Sequence, residues 1–262
     1  MRPVRTASVI VIVALGGAIL AGCGSGGSKL ASPKATTTSA GTTPATTPTT
    51  SLQISLNYHP KIDPTKFTAH ITNKYFPLVP GRTLHYRGIR DGVPTSHTFT
   101  VTHDTKIVMG VRCAVIKDVV TQNQSLVEKT TDWYSQDAAG NVWYFGEDTA
   151  EYQNGVVTNT AGTWEAGVDK AQPGIVMPAV PKVGDAFRQE YRPGVAMDQG
   201  RILSVNATTH VPAGTYQHLV VSLDKNPLDP SKRERKWYAP GVGFVRAVLK
   251  GGGHSETTEL AK

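Results

Sequence analysis

Residues 132–149 read Asp132-Trp133-Tyr134-Ser135-Gln136-Asp137-Ala138-Ala139-Gly140-Asn141-Val142-Trp143-Tyr144-Phe145-Gly146-Glu147-Asp148-Thr149. Two aromatic runs flank Ala139-Gly140-Asn141, which has the composition of a tight turn. Side chains alternate across a strand, so Trp133 and Ser135 face one way and Tyr134 and Gln136 the other, while Trp143 and Phe145 oppose Tyr144. The stretch is read as a β-hairpin with one face in a core.

The same grammar extends outward. Thr98 to Val101 alternates polar with apolar, and Cys113 to Val120 is rich in β-branched residues. Asp91-Gly92, Met109-Gly110 and Asn154-Gly155 mark further hairpin turns. No dozen residues after Leu56 hold a helical period. Ala171 to Gly184 carries Pro173, Pro178 and Pro181 and is expected to be a long crossing connection without a central strand. A second β region follows through Phe187–Tyr191, Arg201–Ala207, Tyr216–Leu223 and Lys236–Leu249. The expected fold is mainly β: one antiparallel, strongly curved sheet or open barrel with short helical segments, capped at one end by the residues around Asp63 to Tyr75.

This domain, residues 57–262, follows two segments of different character. Arg2 and Arg5 precede an uncharged apolar run from Ala7 to Leu20, too short for a spanning helix and typical of a signal peptide covering residues 1–22. It ends on Leu20-Ala21-Gly22-Cys23, which resembles the lipobox of bacterial lipoproteins. That resemblance implies a diacylglyceryl thioether on Cys23, palmitate-type acyl chains, and anchorage to the outer face of a membrane. Two or three chains, at about 0.8 kcal/mol per buried methylene, hold far more firmly than one. Residues 23–56 then turn to Thr, Pro, Ser, Gly and Ala, with nine Thr between Thr36 and Thr50. Such a segment cannot offset its ordering entropy by burial, so it reads as a disordered tether reaching on the order of 30 Å. An O-glycosylated stalk would serve the same spacing role.

The formal net charge of +7 falls to +5 once Arg2 and Arg5 leave with the signal peptide. That mild excess suits anionic envelope surfaces, and no nucleic-acid-binding motif accompanies it. With Cys23 lipidated, Cys113 is the remaining cysteine and has no partner for an intrachain disulfide.

Motifs for chemistry are sparse. The eight histidines never take HxH or HExxH spacing, so no metal is expected. Asp137, Asn141 and Asp148 would be the best oxygen ligands for calcium, but they lack the pattern of an EF-hand loop, and a plain turn is the better reading. No cofactor fingerprint is present. Ser222-Leu223-Asp224-Lys225 matches SxxK, but without its partner motifs.

The hairpin motifs, with Gly162-Thr163-Trp164-Glu165-Ala166-Gly167-Val168-Asp169, Pro173-Gly174-Ile175, Gly184-Asp185, Arg188-Gln189-Glu190-Tyr191 and Tyr238-Ala239-Pro240-Gly241-Val242-Gly243, resemble the signature of an uncharacterised family of secreted bacterial proteins. The resemblance spans about Tyr75 to Leu249 and implies a β-rich exported domain, with no activity attached. It also implies a second cysteine near the position of His218, able to pair with Cys113. This chain lacks it, which makes Cys113 a buried small apolar residue.

Three functional readings remain open. In the first, a noncatalytic domain binds an apolar or amphipathic envelope ligand, the flat face of a sugar, or an envelope protein. Trp133, Trp143, Phe145 and Trp164 then form the platform, with Glu147 and Glu165 as polar anchors. In the second, two of Glu147, Asp148, Glu165 and Glu190 hydrolyse an envelope glycan as acid and base. In the third, every aromatic is core and the role is structural. Lys232, Arg233, Arg235 and Lys236 read as a solvated hairpin loop, or as a contact for anionic headgroups or wall polymers.

Overall fold

The computed structural model describes residues 58–262. The segments read as a signal peptide, lipidated Cys23 and a tether lie outside the described residues. One 3-10 turn, Pro64–Lys66, is the helical content among the described residues. Sixteen strands make up the rest of the regular structure. In chain order they are β1 Phe67–Thr68, β2 Thr83–Arg90, β3 Val93–Val108, β4 Val111–Gln122, β5 Ser125–Asp137, β6 Val142–Gln153, β7 Val156–Asn159 and β8 Trp164–Glu165. They continue as β9 Gln172–Met177, β10 Ala186–Arg188, β11 Glu190–Tyr191, β12 Gln199–Val211, β13 Gly214–Asn226, β14 Asp229–Ala239, β15 Gly243–Gly251 and β16 His254–Leu260.

The long strands form one antiparallel sheet in the order β10-β12-β13-β14-β15-β16-β2-β3-β4-β5-β6-β9-β11. Its two ends, β10 and β11, are separated in the chain by Gln189 alone, so the sheet curls almost into a closed barrel and leaves little free edge. Two-residue turns set the register of its hairpins. Asp91-Gly92, Met109-Gly110 and Asn154-Gly155 all take positive φ at both positions, as a turn matched to strand twist requires. Asn123-Gln124 does the same between β4 and β5 without any glycine to announce it.

Phe76 identifies the lumen. Its ring lies 5.4 Å from Tyr134 on β5 and 6.2 Å from Tyr238 on β14, strands far apart in the sheet order. The N-terminal segment thus plugs one end, with Ile71, Phe76 and Leu78 all buried. Asn73 secures it by donating to the carbonyls of Gly140 and Pro178 and accepting from Tyr75 and Phe76. Tyr86, Phe244, Tyr134 and Tyr144 add rings to this end, the last two stacked across β5 and β6 at 4.7 Å. Phe67, on the outside, packs edge-on against Trp143 and Phe145.

Two expectations are corrected. The proline-rich stretch does contain a strand: Gln172–Met177 forms β9, pairing with β6 through Val142↔Met177, Trp143↔Ile175 and Tyr144↔Gly174. Pro173, which cannot donate, sits opposite Glu190 of β11, where the ladder is only two residues long. Lys232 to Lys236 is not a loop but the middle of β14. Period-two alternation turns Lys232, Glu234 and Lys236 inward and leaves Arg233 and Arg235 exposed.

Candidate functional site

Gly146 makes the site sterically feasible. It adopts φ +135°, and a Cβ there would stand 2.4 Å from the Trp164 carbonyl oxygen and 3.2 Å from the Trp133 ring. Its absence lets β8 lie flush against β6, with Gly146 opposite Glu165 and Glu147 opposite Trp164. Thr163 fixes the approach, its hydroxyl accepting from the Thr149 amide at 3.0 Å and donating to the Thr149 carbonyl at 3.2 Å.

Beside β8 runs an open groove of about 350 Å³, lined by Lys106, Trp133, Asp148, Trp164, Glu165 and Arg192, with Thr163, Val168 and Asp169 at its margin. Lys106 is its central charge. Its ammonium sits 3.3 Å from the centre of the Trp133 ring and 2.7 Å from Glu165 Oε2, joining a cation–π contact to a half-buried ion pair. Arg192 walls the far side, donating to the Thr163 carbonyl at 2.6 Å and to Asp169 at 2.8 Å. Val168, 52 % exposed, gives the rim an apolar element.

The expected platform is thereby divided. Trp133, Trp164 and Glu165 line the groove. Trp164 is nonetheless buried, edge-on to Tyr144 at 5.3 Å. Trp143 and Phe145 pack under Phe67 on the outer face, and the Trp143 indole donates to Asp137 at 2.8 Å. Asp137 also accepts from the amides of Ala139 and Asn141 and from the Asn141 side chain, so its carboxylate holds the turn. Glu147 is fully buried. Of the basic candidates, Lys232 is buried beside Asp229 and Lys236 beside Asp224 and Glu234, which removes both from surface contact and leaves Arg233 and Arg235 outside. Sequence reasoning missed Lys106 and Arg192, since a lone lysine on a strand and an arginine after one carry no signal until β8 comes alongside.

Behind the groove the lumen is charged. Asp118, Glu128, Asp132, Glu147, Glu190, Asp198, Asp224, Glu234 and Glu256 are all buried, against the buried cations Arg90, Arg188, Lys232 and Lys236. Some are matched: Arg90 pairs with Glu256, His97 with Asp118, and Lys236 with Asp224 at 3.0 Å and Glu234 at 3.2 Å. Others are crowded together. Asp132 and Glu147 face each other across β5 and β6, and the single proton of the Tyr144 hydroxyl goes to Asp132 at 2.6 Å. Burial, then the charge of Asp118, raises Asp132 well above the usual carboxylate range. Burial, then Asp132, does the same to Glu147. Glu190 is raised by burial and by Asp198 and Glu147, with Lys236 opposing, and neither of its oxygens meets a hydrogen-bond partner among the described residues. Such groups avoid the cost of an unpaired buried charge by keeping their protons.

Neither a protein-family model nor a curated protein matches the chain. Two solved structures are similar to it. One, from Bacteroides fragilis, is provisionally described as an exported protein with a YmcC-like fold; it is 14 % identical over 72 % of this chain and 98 % of its own, with a TM-score of 0.44. The other, from Parabacteroides distasonis, is provisionally described as a lipoprotein; it is 13 % identical over the same shares, with a TM-score of 0.41.

Proposed function

We propose that this chain is a lipid-anchored extracytoplasmic protein whose barrel domain binds an amphipathic envelope ligand, without catalysis, in the groove beside β8. The signal peptide and the Leu20–Cys23 box support the anchor. The observation that carries the binding reading is the Lys106–Trp133–Glu165 arrangement: a ring, a cation and an anion fixed together on the wall of a groove whose volume lies in the range of small-ligand sites, about 300–1,000 Å³. The ion pairs Lys106–Glu165 and Arg192–Asp169 hold both signs of charge in place for a polar headgroup, and Val168 offers an apolar rim. These charges support an amphipathic ligand over a purely apolar one.

Glycan hydrolysis is less well supported. Glu147 and Glu190 are fully buried and offer no surface to a sugar, while Asp148 is exposed and Glu165 half-buried, so no buried acid faces the groove.

The test is native mass spectrometry of the full lipidated chain, purified in detergent from its own host. The expected result is a co-purifying amphiphile that is lost in Lys106→Ala and Trp133→Ala and retained in Arg233→Ala. Bare chain mass in every preparation would reject the reading. Anchorage is tested separately by palmitate labelling, expected in the wild type and absent from Cys23→Ser.

A further inference from the structure

The barrel is closed by six residues. Ala186, Phe187 and Arg188 pair with Arg201, Gly200 and Gln199 of β12 on one side, while Glu190 and Tyr191 pair with Pro173 and Gln172 of β9 on the other. Along the sheet order the β9–β11 ladder is the shortest, with two pairs against three or more elsewhere, and one of its two residues on the β9 side is a proline that cannot donate. The segment is pressed in closely: a Cβ on Gly174 would stand 2.4 Å from the Arg188 and Gln189 carbonyl oxygens. On its outer side Arg188 lies against the rings of Tyr58 and Tyr191, at 5.4 and 4.6 Å, and those two rings meet edge-on. Tyr58, ahead of the first strand, thus lies across this closure.

The inner side carries the crowded acids. Glu190 belongs to the closing segment itself. The titratable groups facing it are Asp198 before β12, Glu147 and Tyr144 on β6, Asp132 and Tyr134 on β5, and Lys236 on β14. From β9 its ladder partner is Pro173, which carries no titratable group. Lys236 is already shared between Asp224 and Glu234. A proton leaving Glu190 therefore creates an anion among carboxyls, with neither oxygen hydrogen-bonded among the described residues, on the thinnest junction of the sheet.

We infer that residues 186–191 form a proton-latched seam: the barrel stays closed while Glu190 and its neighbours Glu147 and Asp132 hold their protons, and opens between β9 and β12 when they ionise. The direction follows from burial, because the closed seam binds these protons more tightly than the open one, so rising pH favours opening. Arg192, the groove's far wall, directly follows β11, which places the groove next to the moving element. The seam stands independently of any ligand.

Hydrogen–deuterium exchange of the full lipidated chain in detergent micelles, corrected for intrinsic rates, tests it between about pH 5 and about pH 9. Protection in residues 172–177 and 186–191 is expected to fall with pH by up to about tenfold per pH unit for each proton released, while β3 and β4 remain protected. Glu190→Gln, which keeps the shape and cannot ionise, should flatten that slope; if that variant does not fold, Glu147→Gln should flatten it in part. A pH-independent seam in the wild type, a loss of protection shared equally by every ladder, or an undiminished slope in a folded Gln variant would overturn the inference.

Discussion

Lys236 reaches into the barrel from β14 and places its ammonium 3.0 Å from Asp224, with Glu234 3.2 Å away on its own strand. All three are buried, and Asp224 is further bonded by Ser222 at 2.7 Å and Gln189 at 3.2 Å. Removing the cation strands two carboxylates in the lumen. Lys236→Met should therefore destabilise the domain by about 3–5 kcal/mol. Arg235→Ala, one residue away and facing solvent, should change it by less than about 0.5 kcal/mol. Urea denaturation of both variants checks this, and equal effects would show that β14 does not alternate as described.

The backbone at Gly146 allows a second substitution to be judged. Its φ of +135° is barred to L side chains, and a Cβ would meet the β8 backbone at 2.4 Å. Gly146→Ala should cost more than about 2 kcal/mol and detach β8, lowering the quenching of Trp164 by its neighbours. A fluorescence spectrum and melting temperature identical to wild type would refute the close approach.

Stability should fall as pH rises. Glu128, Asp132, Glu147 and Glu190 are all raised by burial, and Glu234 is raised from 4.5 to about 7 by burial with Lys236 opposing. A raised acid binds its proton more tightly in the folded state, so its contribution is complete below the unfolded value and is lost as pH climbs to the folded one. For Glu234 that window runs from 4.5 to about 7. Each such proton contributes up to about 1.4 kcal/mol per pH unit within its window. Calorimetry should show a melting temperature that declines between about pH 5 and about pH 8, with a smaller decline in Glu147→Gln; a rise over that range would contradict the assignment.

Cys113 is buried and free, and burial pushes its thiol up to about 12, with Lys106 opposing. It should not react with Ellman's reagent until the protein unfolds, because the thiolate is the reactive form. With Cys23 held as a thioether, as proposed, unfolding should then release one reactive thiol per chain. Two would show that Cys23 is unmodified, and reaction of the folded protein would contradict the burial of Cys113.

The sequence by itself settled the class of fold, because strand propensity, alternation and paired turn residues are local properties. Asp91-Gly92 and Met109-Gly110 are turns, the 132–149 stretch is a hairpin, and Cys113 falls in a β-branched run that forms β4. Asn123-Gln124 escaped notice because neither residue is glycine. Tertiary structure alone decided which side of each strand is the inside. Alternation says which residues share a face, and the usual guide to the inner one is that it is apolar. On β14 both faces are charged, Lys232, Glu234 and Lys236 on one and Arg233 and Arg235 on the other, so the pattern carries no preference. On β5 it points the wrong way, with Asp132 and Glu128 turned into the lumen and Trp133 turned out. A barrel can hold charges inside because strands distant in sequence bring carboxyl, cation and proton together. Those partners, like the meeting of Lys106, Trp133 and Glu165, exist only once the sheet has closed.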